Sequence, residues 1–158
     1  MNVLLAIDDS TCSEAAVNTV LHEFPAATEV RVIHVVEWPH DVPISLTFAQ
    51  GPAAAEHVLA AHQELRQRAQ ALVAGAADRL HKAGFRATTC VAEGNPRDEI
   101  LRVSAEWPAD TIVIGSHGRQ GFDRFLLGSV LSAVMRRARC SVHVIREHAP
   151  AASVTKAF

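Results

Sequence analysis

The chain is short of cysteine, of net charge and of long apolar runs, and each shortage closes off a class of protein. Its three cysteines, Cys12, Cys90 and Cys140, are odd in number, far apart and form no Cys-x-x-Cys, which argues against a disulfide framework or a zinc knuckle. Fifteen basic residues stand against seventeen acidic ones, with both signs interspersed, so no global field draws nucleic acid or anionic lipid. No apolar run is long enough to span a membrane. The opening Met-Asn-Val-Leu-Leu-Ala-Ile has no basic leader and reaches Asp8 and Asp9 at once, so no secretory signal is expected and a reducing cytoplasm is the simplest compartment. The nine histidines include no His-Glu-x-x-His, and His57 and His62 are five apart rather than four, so no dedicated protein metal site is expected. Gly-x-x-x-x-Gly-Lys-Ser/Thr is also missing, which argues against a P-loop ATPase. Any phosphate site must be local.

What is present is material for one packed domain: 158 residues, 49% hydrophobic and 20% charged. The continuous apolar run Val3 to Ile7 and the segments Val30 to Val36, Ala87 to Ala92, Thr111 to Ile114 and Val142 to Ile145, rich in β-branched residues, read as strands. Segments with helical spacing lie between them. Thr11 and Glu14 have capping-box spacing ahead of a stripe of Val17, Val20, Leu21 and Phe24 that Pro25 closes. A long helix from about Ala54 to Lys82 places Leu65, Ala69, Leu72, Ala76 and Leu80 on one face and stops near Gly84. Asn95-Pro96 opens a helix with Ile100, Leu101 and Ser104 inward, and a last helix after Ser129 buries Val130, Val134 and Met135. Trp38 to Pro52 has no period and reads as a lid, a partner contact or slack. Residues 1–147 are expected to form the domain, and 148–158 a loose, alanine-rich tail. Strands alternating with helices predict a doubly wound α/β domain: a five-stranded parallel sheet with helices on both faces.

The most informative stretch runs from Gly115 to Ser129. It reads as strand, glycine loop, helix start, an arrangement suited to an anion because glycines admit close approach and a helix N-terminus presents amide donors. Phe122, Phe125 and Leu126 fall at i, i+3 and i+4 and would pin the loop by an apolar turn. Such ligand loops sit beyond strand C-termini where strand order reverses. The loops after Ile7 and after Ile114 are therefore candidates for two walls of one crevice.

Gly115-x-x-Gly118, nine residues and then Gly128-Ser129 resembles the ATP-binding signature of the universal stress protein family. Further similarities are Ala6-Ile7-Asp8 with Ser10, Val32-Ile33-His34-Val35, Glu93-Gly94-x-Pro96 and Ala109-Asp110, so the resemblance covers Asn2 to Arg146. It implies a sheet of order 3-2-1-4-5 and a bound ATP whose phosphates carry Mg²⁺. It also implies that Gly115 and Gly118 line ribose and phosphates, that Gly128 with the Ser129 amide and hydroxyl grips the phosphate chain, that Asp8 faces the sugar and base, and that the Val35 backbone reads the adenine edge. Ile7, Ile114 and Val130 flank these positions in the same site, with Arg119 as a candidate phosphate contact. Relatives dimerise through the last strand, so a homodimer is expected; Ser141 in place of a common proline, and the polar His143, are departures there.

Competing readings accompany these residues. Asp8 is either a ligand contact or a carboxylate that satisfies amides at a helix start. Arg119 and Arg124 are either phosphate contacts or solvated loop residues, Arg119 being the better candidate. Arg136, Arg137 and Arg139 complement a helix dipole without any nucleic acid. Cys12, near a helix N-terminus, is either a redox thiol or a small residue filling the first turn. His117 lies in the loop without an orienting partner legible in sequence, so no catalytic residue is assigned. The function expected is a nucleotide-dependent regulatory module in stress response; the alternatives are a slow ATP-hydrolysing enzyme and a non-nucleotide adaptor acting through its last strand.

Overall fold

A computed structural model describes residues 1–37, 51–117 and 128–146. In order these form β1 (Asn2–Ala6), α1 (Thr11–Glu23), β2 (Glu29–Val36), α2 (Pro52–Lys82), β3 (Arg86–Glu93), α3 (Pro96–Glu106), β4 (Thr111–Gly115), α4 (Ser129–Arg137) and β5 (Ser141–Ile145). The expectations for residues 38–50, for Gly118, Arg119, Arg124 and the loop phenylalanines, and for the tail from His148 lie outside the described residues.

The five strands make one sheet, ordered β3-β2-β1-β4-β5, and every pairing is parallel. Why β1 is continuously apolar follows from its place at the centre. Val3 and Leu5 join a core cluster with Val17 and Val20 of α1 and Val73, Ala77 and Leu80 of α2. Leu4 and Ala6 point the other way, into a second cluster with Ile100 and Val103 of α3 and Leu131 and Val134 of α4. The period of two in a strand thus divides one short sequence between two cores. Leu4 and Leu5 are both fully buried, each worth about 1.5–3 kcal/mol in transfer free energy.

Element boundaries fall within one or two residues of those expected, with four informative differences. Ser10, not Thr11, caps α1: its side chain accepts from the Ser13 amide. Leu65 is exposed rather than on a buried face. The 31 residues of α2 span ~46 Å, whereas the eight of β3 span ~26 Å. The helix is therefore longer than the strand beside it, and apart from Ala55 its buried residues lie from Ala69 to Leu80. Met135 is also exposed, and α4 instead buries Leu131, Ala133 and Val134. Pro52, taken as the end of the irregular connection, is the first residue of α2, where its fixed φ suits a helix start.

Candidate functional site

Strand order reverses between β1 and β4, which pair with Ala6 beside Ile114. Both chains emerge there at their C-terminal ends. The β1 exit is held tightly by its own residues. Buried Ile7 donates its amide to the Ile33 carbonyl at 2.9 Å, and its carbonyl accepts from His34 Nδ1 at 2.8 Å. Val35, two residues beyond Ile33 in β2, is buried and sits beside Ala92 of β3.

Asp8 then organises the turn into α1. Its amide donates to Ser13 Oγ at 2.7 Å, and its Oδ1 accepts from the Ser10 amide at 3.1 Å, from Ser13 Oγ at 2.6 Å and from Ser10 Oγ. The carboxylate thus serves the local turn and helix start through one oxygen. Ser13 was missed in the sequence; its signal was the Asp8-x-Ser10-x-x-Ser13 spacing, in which a carboxylate and two hydroxyls meet ahead of a helix.

Across the crevice, Gly115 ends β4 against the first turn of α1. A Cβ built on Gly115 would lie 2.8 Å from Cys12 Cβ and 3.3 Å from the Cys12 carbonyl carbon. Close approach here is between two protein backbones, and buried Cys12 fills the space between the two loops. Ser116 follows as a clasp that sequence reasoning also missed. It is almost fully buried; its amide donates to the Ile145 carbonyl at 2.7 Å, and its carbonyl accepts from the Gly128 amide at 3.1 Å. A Cβ on Gly128 would meet that carbonyl at 3.2 Å. The two ends of the glycine loop are therefore tied directly together, at the edge of the sheet between β4 and β5.

The clasp delivers the N-terminus of α4 to the mouth of β4. Gly128 is its N-cap and offers no side-chain oxygen, while Ser132 donates back to the Gly128 carbonyl at 2.9 Å. The amides of Ser129, Val130 and Leu131 have no partner inside the helix, and they stand at the positive end of its dipole. Ser129 is exposed; Val130 packs partly buried against the core below. His117 completes the described part of the loop. Ser116 Oγ lies 2.9 Å from its Nδ1 and 3.9 Å from Cys12 Sγ, so the ring has the orienting partner that sequence did not reveal.

Several other titratable groups sit on α2, β3, α3 and the turn before β5. Burial pushes the thiols of Cys90 and Cys140 up from their ordinary value, although Arg31 and Arg102 oppose this at Cys90. Hydrogen bonds that Arg102 donates to the Glu99 and Glu106 carboxylates hold it further in its charged form. His57 Nδ1 is bonded to the Ala53 carbonyl, and His62 to Glu93 at 3.2 Å. Among the described residues no group of three His, Cys, Asp or Glu is placed to hold a metal ion, and no helix is long and apolar enough to cross a membrane.

Comparison with known proteins agrees with this architecture. Universal stress protein YxiE of Bacillus subtilis is 29% identical over 147 residues, covering 91% of this chain and 97% of that one. The solved structure of MJ0577 from Methanocaldococcus jannaschii superposes with a TM-score of 0.77 at 24% identity, over 93% of this chain and 96% of its own. A universal stress protein of Archaeoglobus fulgidus in complex with dAMP gives a TM-score of 0.65 at 21% identity, over 92% and 97% of the two chains. Residues 1–146 match the universal stress protein family, and the chain belongs to that family.

Proposed function

We propose that this protein is an ATP-binding regulatory module of stress response, acting in the cytoplasm as a homodimer. The observation that carries the reading is the uncapped N-terminus of α4, held at the β1–β4 reversal by the Ser116–Gly128 clasp. First-turn amides with no side-chain acceptor fit a phosphate group by geometry and by charge. The dAMP complex of the Archaeoglobus relative supports an adenine nucleotide as the ligand class.

In this reading the amides of Ser129 and Val130 and the Ser129 hydroxyl hold phosphate oxygens, with Gly115, Gly118 and Arg119 along the same chain of phosphates. Ile7, Asp8, Val35 and Ile114 border the sugar and base. Mg²⁺ arrives with the phosphates, since a triphosphate brings its own oxygen ligands. ATP acts as a ligand: it biases the protein only by binding two conformations unequally. The outer edge of β5 is the surface assigned to the second copy, residues 1–147 form the working domain, and 148–158 is an appended tail.

Titration calorimetry with ATP and Mg²⁺ tests this. Saturable heat is expected, with a matching rise in melting temperature, because a ligand at a hundred times its Kd stabilises the folded state by about 2.7 kcal/mol. Absence of both heat and melting shift at millimolar ATP ends the reading.

A further inference from the structure

His117 carries a polar atom that the fold leaves unserved. Its Nε2 is buried and has no hydrogen-bond partner, while the other ring nitrogen is engaged by Ser116. Buried polar atoms are nearly always paired, so one left open beside a candidate ligand site asks for an explanation.

Whether Nε2 carries a hydrogen depends on which way the Ser116–His117 bond runs. Ser116 Oγ can donate to Nδ1 at 2.9 Å or towards Cys12 Sγ at 3.9 Å. An imidazole nitrogen at the shorter distance is much the better acceptor, since sulfur accepts weakly. With Ser116 donating to Nδ1, the neutral ring carries its proton on Nε2, and the cationic ring carries one there too. In that arrangement Nε2 is an N–H donor without an acceptor.

Its location is equally defined. Gly128 and His117 touch: a Cβ on Gly128 would lie 3.8 Å from His117 Cα. The backbone of His117 therefore adjoins the N-cap of α4, which brings the residue with the unserved ring nitrogen beside the uncapped amides. We propose that His117 is a further nucleotide-binding residue, donating from Nε2 to an oxygen of the phosphate chain. Phosphate oxygens accept and never donate in the fully ionised chain, which matches a site made of donors alone. This rests on the α4 N-terminus being the phosphate site.

Two substitutions separate the ring nitrogens. His117→Asn keeps a polar group near the Nδ1 position, able to hold Ser116, and loses the Nε2 donor. His117→Gln places an amide near Nε2 and gives up the Nδ1 position. Calorimetric titration of wild type and both variants with ATP and with adenosine is the experiment, each variant first shown by its melting transition to be folded. The proposal expects H117N to weaken ATP binding roughly tenfold, as for loss of a hydrogen bond to a charged group. H117Q should stay within about threefold, and adenosine affinity should be the same in all three. ATP binding that survives in H117N but is lost in H117Q would make the ring only a holder of Ser116 and overturn the proposal. So would an equal loss of adenosine and ATP affinity in H117N, which would move the contact to the ribose. Wild type binding ATP while H117N binds it equally well refutes the His117 assignment alone. Wild type that binds no ATP removes the phosphate site itself and this inference with it.

Discussion

Gly115→Ala puts a physical argument about the motif at risk. Gly115 has no positive φ, so alanine faces no backbone penalty there. By itself the change would stabilise the fold by about 0.4–1 kcal/mol through a less flexible unfolded chain. Opposing this, the added carbon would sit 2.8 Å from Cys12 Cβ and 3.3 Å from the Cys12 carbonyl carbon. Those atoms belong to a strand end and a helix first turn, neither of which can rotate away. Overpacking of this kind costs about 1–3 kcal/mol, which meets or exceeds the gain and leaves a net loss of up to about 2.6 kcal/mol. For a domain of this size that lowers the melting temperature by up to about 10 °C.

Urea unfolding of the nucleotide-free protein, followed by far-UV circular dichroism, measures the loss. The test sharpens in a second background. Cys12→Ala retains the offending Cβ, and there Gly115→Ala should cost as much as in wild type. Cys12→Gly removes that Cβ, and there the same substitution should cost clearly less, with only the 3.3 Å approach to the Cys12 carbonyl carbon remaining. Additivity in the Cys12→Gly background, or a Gly115→Ala midpoint above wild type, would refute the steric account. Gly115 would then owe its identity to the ligand alone.

The Asp8 carboxylate accepts from both Ser10 and Ser13, so Asp8→Ala should destabilise the ligand-free protein by about 1–3 kcal/mol in urea. An unchanged midpoint would mean the carboxylate does nothing for the turn. Leu131→Ala, at a site with 1% exposure, should cost about 2–5 kcal/mol, whereas Met135→Gln, at 51% exposure, should stay within about 0.5 kcal/mol. Comparable losses from the two would invert the assigned faces of α4. Because burial raises the thiols of Cys90 and Cys140, less thiolate exists at pH 8 than in a free thiol. Their alkylation by iodoacetamide should lag behind free cysteine there and keep accelerating as pH rises past 9; mass-spectrometric rates matching free cysteine would contradict this.

Much of the architecture was legible because local signals and global position agree. The run from Val3 to Ile7 is apolar throughout since β1 is covered on both faces by helices, and Asn95-Pro96 opens α3 as the turn chemistry implies. Sequence failed where the deciding contact is distant or depends on relative lengths. Leu65 keeps the helical period of its face, yet it stands exposed between His62 and Arg66, which pair with Glu93 at the last residue of β3. Met135 was assigned inward with Val134, its immediate neighbour, though adjacent positions on a helix point about 100° apart. Ser10 displaced Thr11 as the cap because Asp8 and Ser13 converge on it, a three-residue arrangement that a two-position pattern does not register.

Within the site the same division holds. Gly128-Ser129 at a helix start could be read from spacing, and α4 begins at Ser129. The contact that explains Gly115 lies with Cys12, more than a hundred residues away in sequence, and Ser116 acts through β5 and Gly128 at once. A motif taken locally assigns such glycines to the ligand; the packed structure gives them a second task, holding the two walls of the crevice together.

The central claim is that the free amides of the first turn of α4 receive phosphate oxygens. Nuclear magnetic resonance of ¹⁵N-labelled protein titrated with ATP and Mg²⁺ reads those amides individually. Saturable downfield movement of the Ser129, Val130 and Leu131 N–H resonances is predicted, with the Gly128 amide, already bonded to Ser116, moving less. Stationary signals at Ser129 to Leu131 while ATP binds elsewhere would contradict the account.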